Sequence, residues 1–327
     1  MFKVSNYKII AEDQEKYLSF PDIIQSRKDS NKLFLVYRSS SEAHHPIHSG
    51  LHFLISEDKG ETWEETQKFD ISIPKHGCVW NCPRLSYLPN GALSIICDTK
   101  SSQREVESEF KIYMLKSYDD GNNFAEINET PLKGMVPDKI IKYKNILLCA
   151  NHRIKNKANE LIQLVNWSRD RGNNWYDCNI LAHNRKHDFC EASIVNNNNK
   201  NLIAYLRDNR ERQRPVYKTT SEDGIHWTNP IELPFWGHRV TAIKDRDKII
   251  GVFRDTVEAK LSMFVHPVNN NSNRKIEKYY LDKEQFENMY HFGYSGIVKI
   301  DKDKYLVVYY IKNDKINPFI KSCIVNL

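Results

Sequence analysis

The chain has 327 residues, with 48 basic against 42 acidic side chains and a formal net charge of +6. That surplus is too small to argue for a nucleic-acid partner and is compatible with an anionic ligand. No stretch approaches the ~18 apolar residues of a membrane span. The seven cysteines, several inside apolar runs such as Ile95-Ile96-Cys97, read as free buried thiols rather than as staples or metal ligands.

Taken in order, the chain reads as short strands with little helical pattern. The first run, Lys3-Val4-Ser5-Asn6-Tyr7-Lys8-Ile9-Ile10, has no long apolar core of a secretory leader, so a cytoplasmic location is the default expectation. A secreted chain whose leader had been removed would read the same. Six stretches then open strands at Pro21, Pro83, Pro137, Glu191, Arg239 and Ser295. Each is followed 15 to 17 residues later by the end of an apolar run, at Arg38, Asp98, His152, Arg207, Arg254 and Tyr310. Two antiparallel strands of ~6 residues joined by a tight turn fit that spacing. After Tyr294 there is room for only three strands, near 294–300, 305–312 and 318–325, so the N-terminal run is expected to supply the fourth. Residues 282–290 form a candidate short helix before the last group of strands.

A second repeat punctuates the first. Ser56-Glu57-Asp58-Lys59-Gly60-Glu61-Thr62-Trp63 has the form Ser-x-Asp-x-Gly-x-x-Trp, which returns at Ser168 and, with Phe124 in place of Trp, at Ser117. A shortened copy runs from Ser221 to Trp227. In each, the Asp can accept bonds from its own loop and the Gly supplies a positive φ, while the aromatic anchors the hairpin on a neighbour. Self-similarity at roughly 50 residues indicates a propeller or a solenoid. The expected fold is therefore all-β: a six-bladed β-propeller in one domain spanning residues 1–327, its N-terminal strand completing the last blade.

In a propeller whose first strands line the axis, strand-one openings and strand-two ends gather at one mouth. The residues placed there are Asp22, Arg38, Arg84, Asp98, Asp138, Lys139, His152, Glu191, Arg207, His238, Arg239, Arg254, Tyr294 and Tyr310. Five are arginines. A guanidinium keeps its charge and meets a carboxylate through two parallel bonds, so the cluster suggests an acidic ligand. The structural alternative is that each arginine pairs with an Asp or Glu of another blade.

The Ser-x-Asp turns resemble the Asp boxes of sialidase-like β-propellers. Cys190-Glu191-Ala192-Ser193-Ile194-Val195 with Ala204-Tyr205-Leu206-Arg207 is similar to the family stretch that carries a catalytic Glu and one arginine of a carboxylate-binding triad. Tyr294-Ser295-Gly296-Ile297-Val298 resembles the stretch that carries the nucleophilic Tyr. The resemblance implies Glu191 as the base that activates Tyr294, since a phenol of pKa ~10 needs such help. Leu18-Ser19-Phe20-Pro21 departs from the family's Tyr/Phe-Arg-Ile-Pro and lacks its arginine. Where the family has an acid/base Asp, this chain has Ser41-Glu42-Ala43-His44-His45-Pro46-Ile47-His48.

The expected catalytic residues are thus Tyr294, Glu191 and His45, the last as a proton donor near its ordinary pKa of ~6.5. The expected substrate contacts are Arg38, Arg84, Asp98, His152, Arg207, Arg239 and Arg254. His44, His45, His48 and His52 lack the Glu or Cys companions of a metal site, so neither metal nor other cofactor is expected. The partner expected is an acidic glycan or oligosaccharide: sialic acid, a related nonulosonic acid, Kdo or a uronate. An exo-glycosidase is the leading reading. A polysaccharide lyase and a non-catalytic glycan- or protein-binding propeller remain open.

Overall fold

A computed structural model describes residues 2–42, 46–69, 78–101, 110–154, 160–211, 213–268, 276–282, 291–312 and 317–327. Within them the regular elements are all β-strands, and no helix is long and apolar enough to cross a membrane. The expected helix falls almost wholly on 283–290, outside the described residues. The chain divides into two compact units: Met1–Tyr87 with Gly91–Thr130 and Tyr290–Leu327, and Leu88–Asn90 with Pro131–Met289.

The first unit holds three antiparallel sheets. Tyr17–Gln25, Leu33–Ser40, Ser49–Ser56 and Glu64–Phe69 form one in sequence order. In the second, Cys78–Trp80 and Arg84–Tyr87 both lie on Leu93–Ser101, which continues to Lys111–Ser117 and Glu126–Lys133. The third runs Phe292–Asp301, Lys304–Ile311, Phe319–Asn326, and its outer strand is the N-terminal Lys3–Ala11, paired Val4↔Val325 and Lys8↔Ser322. The expected closure by the N-terminal run is observed.

The second unit holds Ile141–Tyr143, Ile146–Ile154, Leu161–Ser168 and Tyr176–Ala182 as one sheet. Its other sheet is seven-stranded, from Phe189–Asn197 to Glu277–Tyr280. There the 15-residue strand Ile231–Asp245 ends one four-stranded meander, with Trp236 opposite Pro215. It begins the next, with Gly237 opposite Asp255. Cores form between successive sheets: Leu35, Tyr37, Tyr294 and Val308 share one cluster, and Leu148, Ala192, Leu202 and Tyr217 another.

The four Ser-x-Asp turns make the bonds their residues allow. Asp58 Oδ1 accepts from Thr62 N at 2.8 Å and Asp170 Oδ1 from Asn174 N at 2.8 Å, while Ser117 Oγ accepts from Gly121 N at 2.9 Å. Gly121 has φ 86° and faces Phe34, 2.8 Å from where a Cβ would stand, so both conformation and space require glycine. Phe124 of this turn packs edge-on against Phe53 and Phe69 of the adjoining sheet. These turns hold the sheets together and carry no part of the candidate site.

Candidate functional site

The opening and closing positions meet in a repeated register. Ser19 pairs with Arg38, Cys190 with Arg207, His238 with Arg254 and Gly293 with Tyr310. Met135 bridges His152 in the same way. Immediately after each of the four paired residues, the ladder slips: between Ser19 and Asp22, Cys190 and Ser193, His238 and Thr241, and Gly293 and Ser295. An extra residue of this kind bends a strand and re-aims a side chain. Phe20 and Glu191 at two of these kinks have φ of 55° and 51°, and Val136, next to the Met135 bridge, has φ 50°. A left-handed conformation is costly for such side chains and is held only by the surroundings.

The surroundings include a pin from one inner strand to another. Asp22 Oδ2 accepts from Leu85 N at 2.7 Å, Asp138 Oδ2 from Ile194 N at 3.0 Å, and Ser193 Oγ from Ala242 N at 3.2 Å. At the same place in Phe292–Asp301 stands Gly296, where an added Cβ would lie 2.8 Å from Ile23 N. The residue just past each kink therefore fixes the spacing of the inner strands.

In the second unit the structure brings together Glu191, Arg207, His152, His238, Arg239, Arg254 and Asp138. Arg207 NH1 donates to both carboxylate oxygens of Glu191, each at 3.1 Å. Arg239, almost fully buried, donates from NH2 to Asp138 Oδ1 at 3.1 Å, the carboxylate that also pins Ile194. Arg254 NH2 lies 3.0 Å from His238 Nδ1. His152 is buried, and its Nδ1 has no hydrogen-bond partner among the described residues. Burial pushes its pKa down to about 4; nearby Glu191 opposes the shift, while Arg239 and Arg207 add to it. His238 is held well below the usual histidine range by burial first, then by Arg207 and Arg254. Both imidazoles are thus neutral hydrogen-bonding groups near pH 7. The thiols of Cys149 and Cys190 are raised by burial, which makes them inert packing groups.

In the first unit Arg38 is fully buried. Its Nε donates to Ser19 Oγ at 3.1 Å and NH1 to Asn81 Oδ1 at 3.5 Å, and its guanidinium lies 4.5 Å from the centre of the Phe20 ring. Phe20 also packs on Tyr294 and Tyr310, with ring centres 5.1 and 5.7 Å away. Tyr294 therefore sits in an aromatic group beside Arg38. Lys100, which the sequence did not single out, has its pKa lowered to about 8 by burial and by Arg38.

Two expected substrate contacts of this unit are buried beside structural partners. Asp98 is completely buried and accepts from Asn81 Nδ2 at 2.9 Å and from Cys82 N at 3.1 Å. Arg84, 1% exposed, lies 4.0 Å from Asp22, the carboxylate that holds Leu85 N. His44 and His45 lie outside the described residues. His52 is bound to Glu65 and Tyr37 on its own sheet and is not part of the cluster.

These sheets and kinked inner strands are those of a β-propeller, and comparison with solved structures gives the same fold. An unknown-function protein from Dyadobacter fermentans superposes with a TM-score of 0.86 at 18% identity, over 100% of this chain and 99% of that one. The NanB sialidase of Streptococcus pneumoniae gives a TM-score of 0.71 at 13% identity, over 98% of this chain and 70% of that one. The GH93 α-L-arabinofuranosidase of Fusarium graminearum, solved with arabinobiose, gives 0.75 at 12% identity, over 99% and 98%. Residues 75–254, more than half of the sequence, match the BNR repeat-like domain family, and the chain belongs to that family. No curated protein sequence matches it.

Proposed function

We propose that the protein is a sialidase-like glycoside hydrolase acting on an acidic sugar, built as one domain over residues 1–327 with six blades. The six opening and closing positions in the sequence support the blade count, and the full-length likeness to the Dyadobacter fermentans protein supports the single domain. The observation that carries the activity is Glu191. It stands in a strained left-handed conformation at a strand kink, and Arg207 holds both of its oxygens. Strain of this sort collects at working sites, and both carboxylate oxygens meet the one Arg207 nitrogen NH1, a charge-assisted contact. Glu191 acts as the proton-transfer group, and Tyr294 as the nucleophile that the resemblance assigns. Arg254 and Arg207, in the same unit as Glu191, are the guanidinium groups offered to an anionic sugar.

A panel of released acidic glycans, with products read by mass spectrometry, tests this reading. Turnover of one of them is expected, and Tyr294→Phe and Glu191→Gln should each lower it at least ~100-fold. Wild-type turnover by both variants would sink the assignment. One observation favours a second reading, a neutral pentose glycan. Arg84, Arg207 and Arg239 each have a carboxylate beside them, which lessens the cluster's pull on an anion. The arabinofuranosidase among the solved structures makes arabinobiose the substrate to add to the panel.

A further inference from the structure

His238 stands directly opposite Arg254 in the ladder between Ile231–Asp245 and Lys248–Asp255. The guanidinium nitrogen NH2 of Arg254 is 3.0 Å from His238 Nδ1. A guanidinium has five N–H donors and no acceptor. Nδ1 must therefore accept, and the single proton of the neutral ring must sit on Nε2. A second proton is disfavoured by burial and by the two neighbouring arginines, so the tautomer persists through the physiological range. Among the described residues Nε2 has no hydrogen-bond partner, and the residue keeps a minor part of its surface exposed. One N–H is thus left without a partner among the described residues, in the same unit as Glu191 and Arg207.

We propose that His238, locked by Arg254, is a substrate-binding residue: a neutral Nε2–H donor that takes an acceptor oxygen of the sugar. The proposal rests on the reading of this site as a sugar site. Its chemistry has two consequences. A ring that cannot readily take a second proton is no general acid, so His238 contributes orientation and not proton transfer. A donor-only position accepts a carboxylate, ring or hydroxyl oxygen and rejects a ligand that places an ammonium group there.

Two measurements test it. Long-range proton–nitrogen NMR of the imidazole, assigned by its loss in His238→Gln, is expected to show the neutral Nε2–H form from about pH 6.5 to 8. An Nδ1–H form, or protonation within that range, overturns the proposal. Titration with N-acetylneuraminic acid, glucuronic acid and arabinobiose supplies the second. For whichever sugar binds, His238→Ala should weaken binding about 10-fold, the worth of one good hydrogen bond. His238→Gln, whose amide nitrogen falls near the place of Nε2, should stay within about 3-fold, whereas His238→Asn, which replaces only Nδ1, should behave like alanine. If a sugar binds wild type and His238→Ala equally, this proposal alone fails. If none of the three binds wild type, the reading of the site as a sugar site fails, and the proposal falls with it.

Discussion

Asp138→Asn decides whether Arg239 is a ligand group or a structural one. Asp138 Oδ1 takes a bond from Arg239 NH2 at 3.1 Å and Oδ2 one from Ile194 N at 3.0 Å, with Asp138 6% and Arg239 1% exposed. Both partners are donors, so an amide at position 138 leaves one of them facing its own NH2 group. It also removes the counter-charge of a buried guanidinium. Breaking a buried pair from one side costs about 3–5 kcal/mol. At about 2–4 °C per kcal/mol for a unit of this size, the melting temperature should fall by roughly 6–20 °C. Circular dichroism and tryptophan fluorescence during heating would record it. Arg239→Gln placed on top should recover part of the loss, because a missing pair costs less than a stranded charge. A melting temperature within 1 °C of wild type, or a double variant showing no recovery, refutes the structural role. Arg239 would then be a group held for the ligand, and its loss should appear in KM instead.

Two further outcomes follow from the packing and from the buried histidine. Gly296→Ala should lower stability by about 1–3 kcal/mol, read as a lower urea midpoint, since its Cβ would stand 2.8 Å from Ile23 N and 3.1 Å from Asp22 Cα; an unchanged midpoint means the two inner strands are not pressed together there. For His152 the folded pKa of about 4 lies below the usual 6.5. Between those values the unfolded chain binds a proton that the folded chain does not, so stability falls as pH drops from about 6.5 to about 4, by up to ~3 kcal/mol. Urea unfolding of His152→Asn over that window should show a slope smaller by about one proton, with the remainder carried in part by His238; an unaltered slope refutes the assignment.

Much of the frame was legible in the sequence because it is set by local rules. The Ser-x-Asp turns fix hairpins through bonds within eight residues, and the 15-to-17-residue spacing from opening to closing is two strands and a turn. That spacing places the opening and closing positions at the same strand edge, where the structure pairs Ser19 with Arg38, Cys190 with Arg207 and His238 with Arg254. The long strand Ile231–Asp245 was not legible, because Pro234 argues against a continuous strand. In the structure it falls within the stretch of irregular register between Pro215↔Trp236 and Tyr217↔Glu232, where a missing N–H is tolerated. The charge pairing was hidden for a different reason. Spacing tells where a strand ends and not what its last side chain meets, so it weighted five arginines alike. Arg239 and Asp138 are 101 residues apart, and only the tertiary fold makes them partners. The missing arginine near the start of the chain has a related answer. Ser19 occupies the place where the family resemblance expects it, and the Arg38 guanidinium lies on the Ser19 hydroxyl, contributed by the adjacent strand. A guanidinium therefore stands beside position 19 without an arginine in that strand, which is visible only once Ser19 and Arg38 are known to face each other.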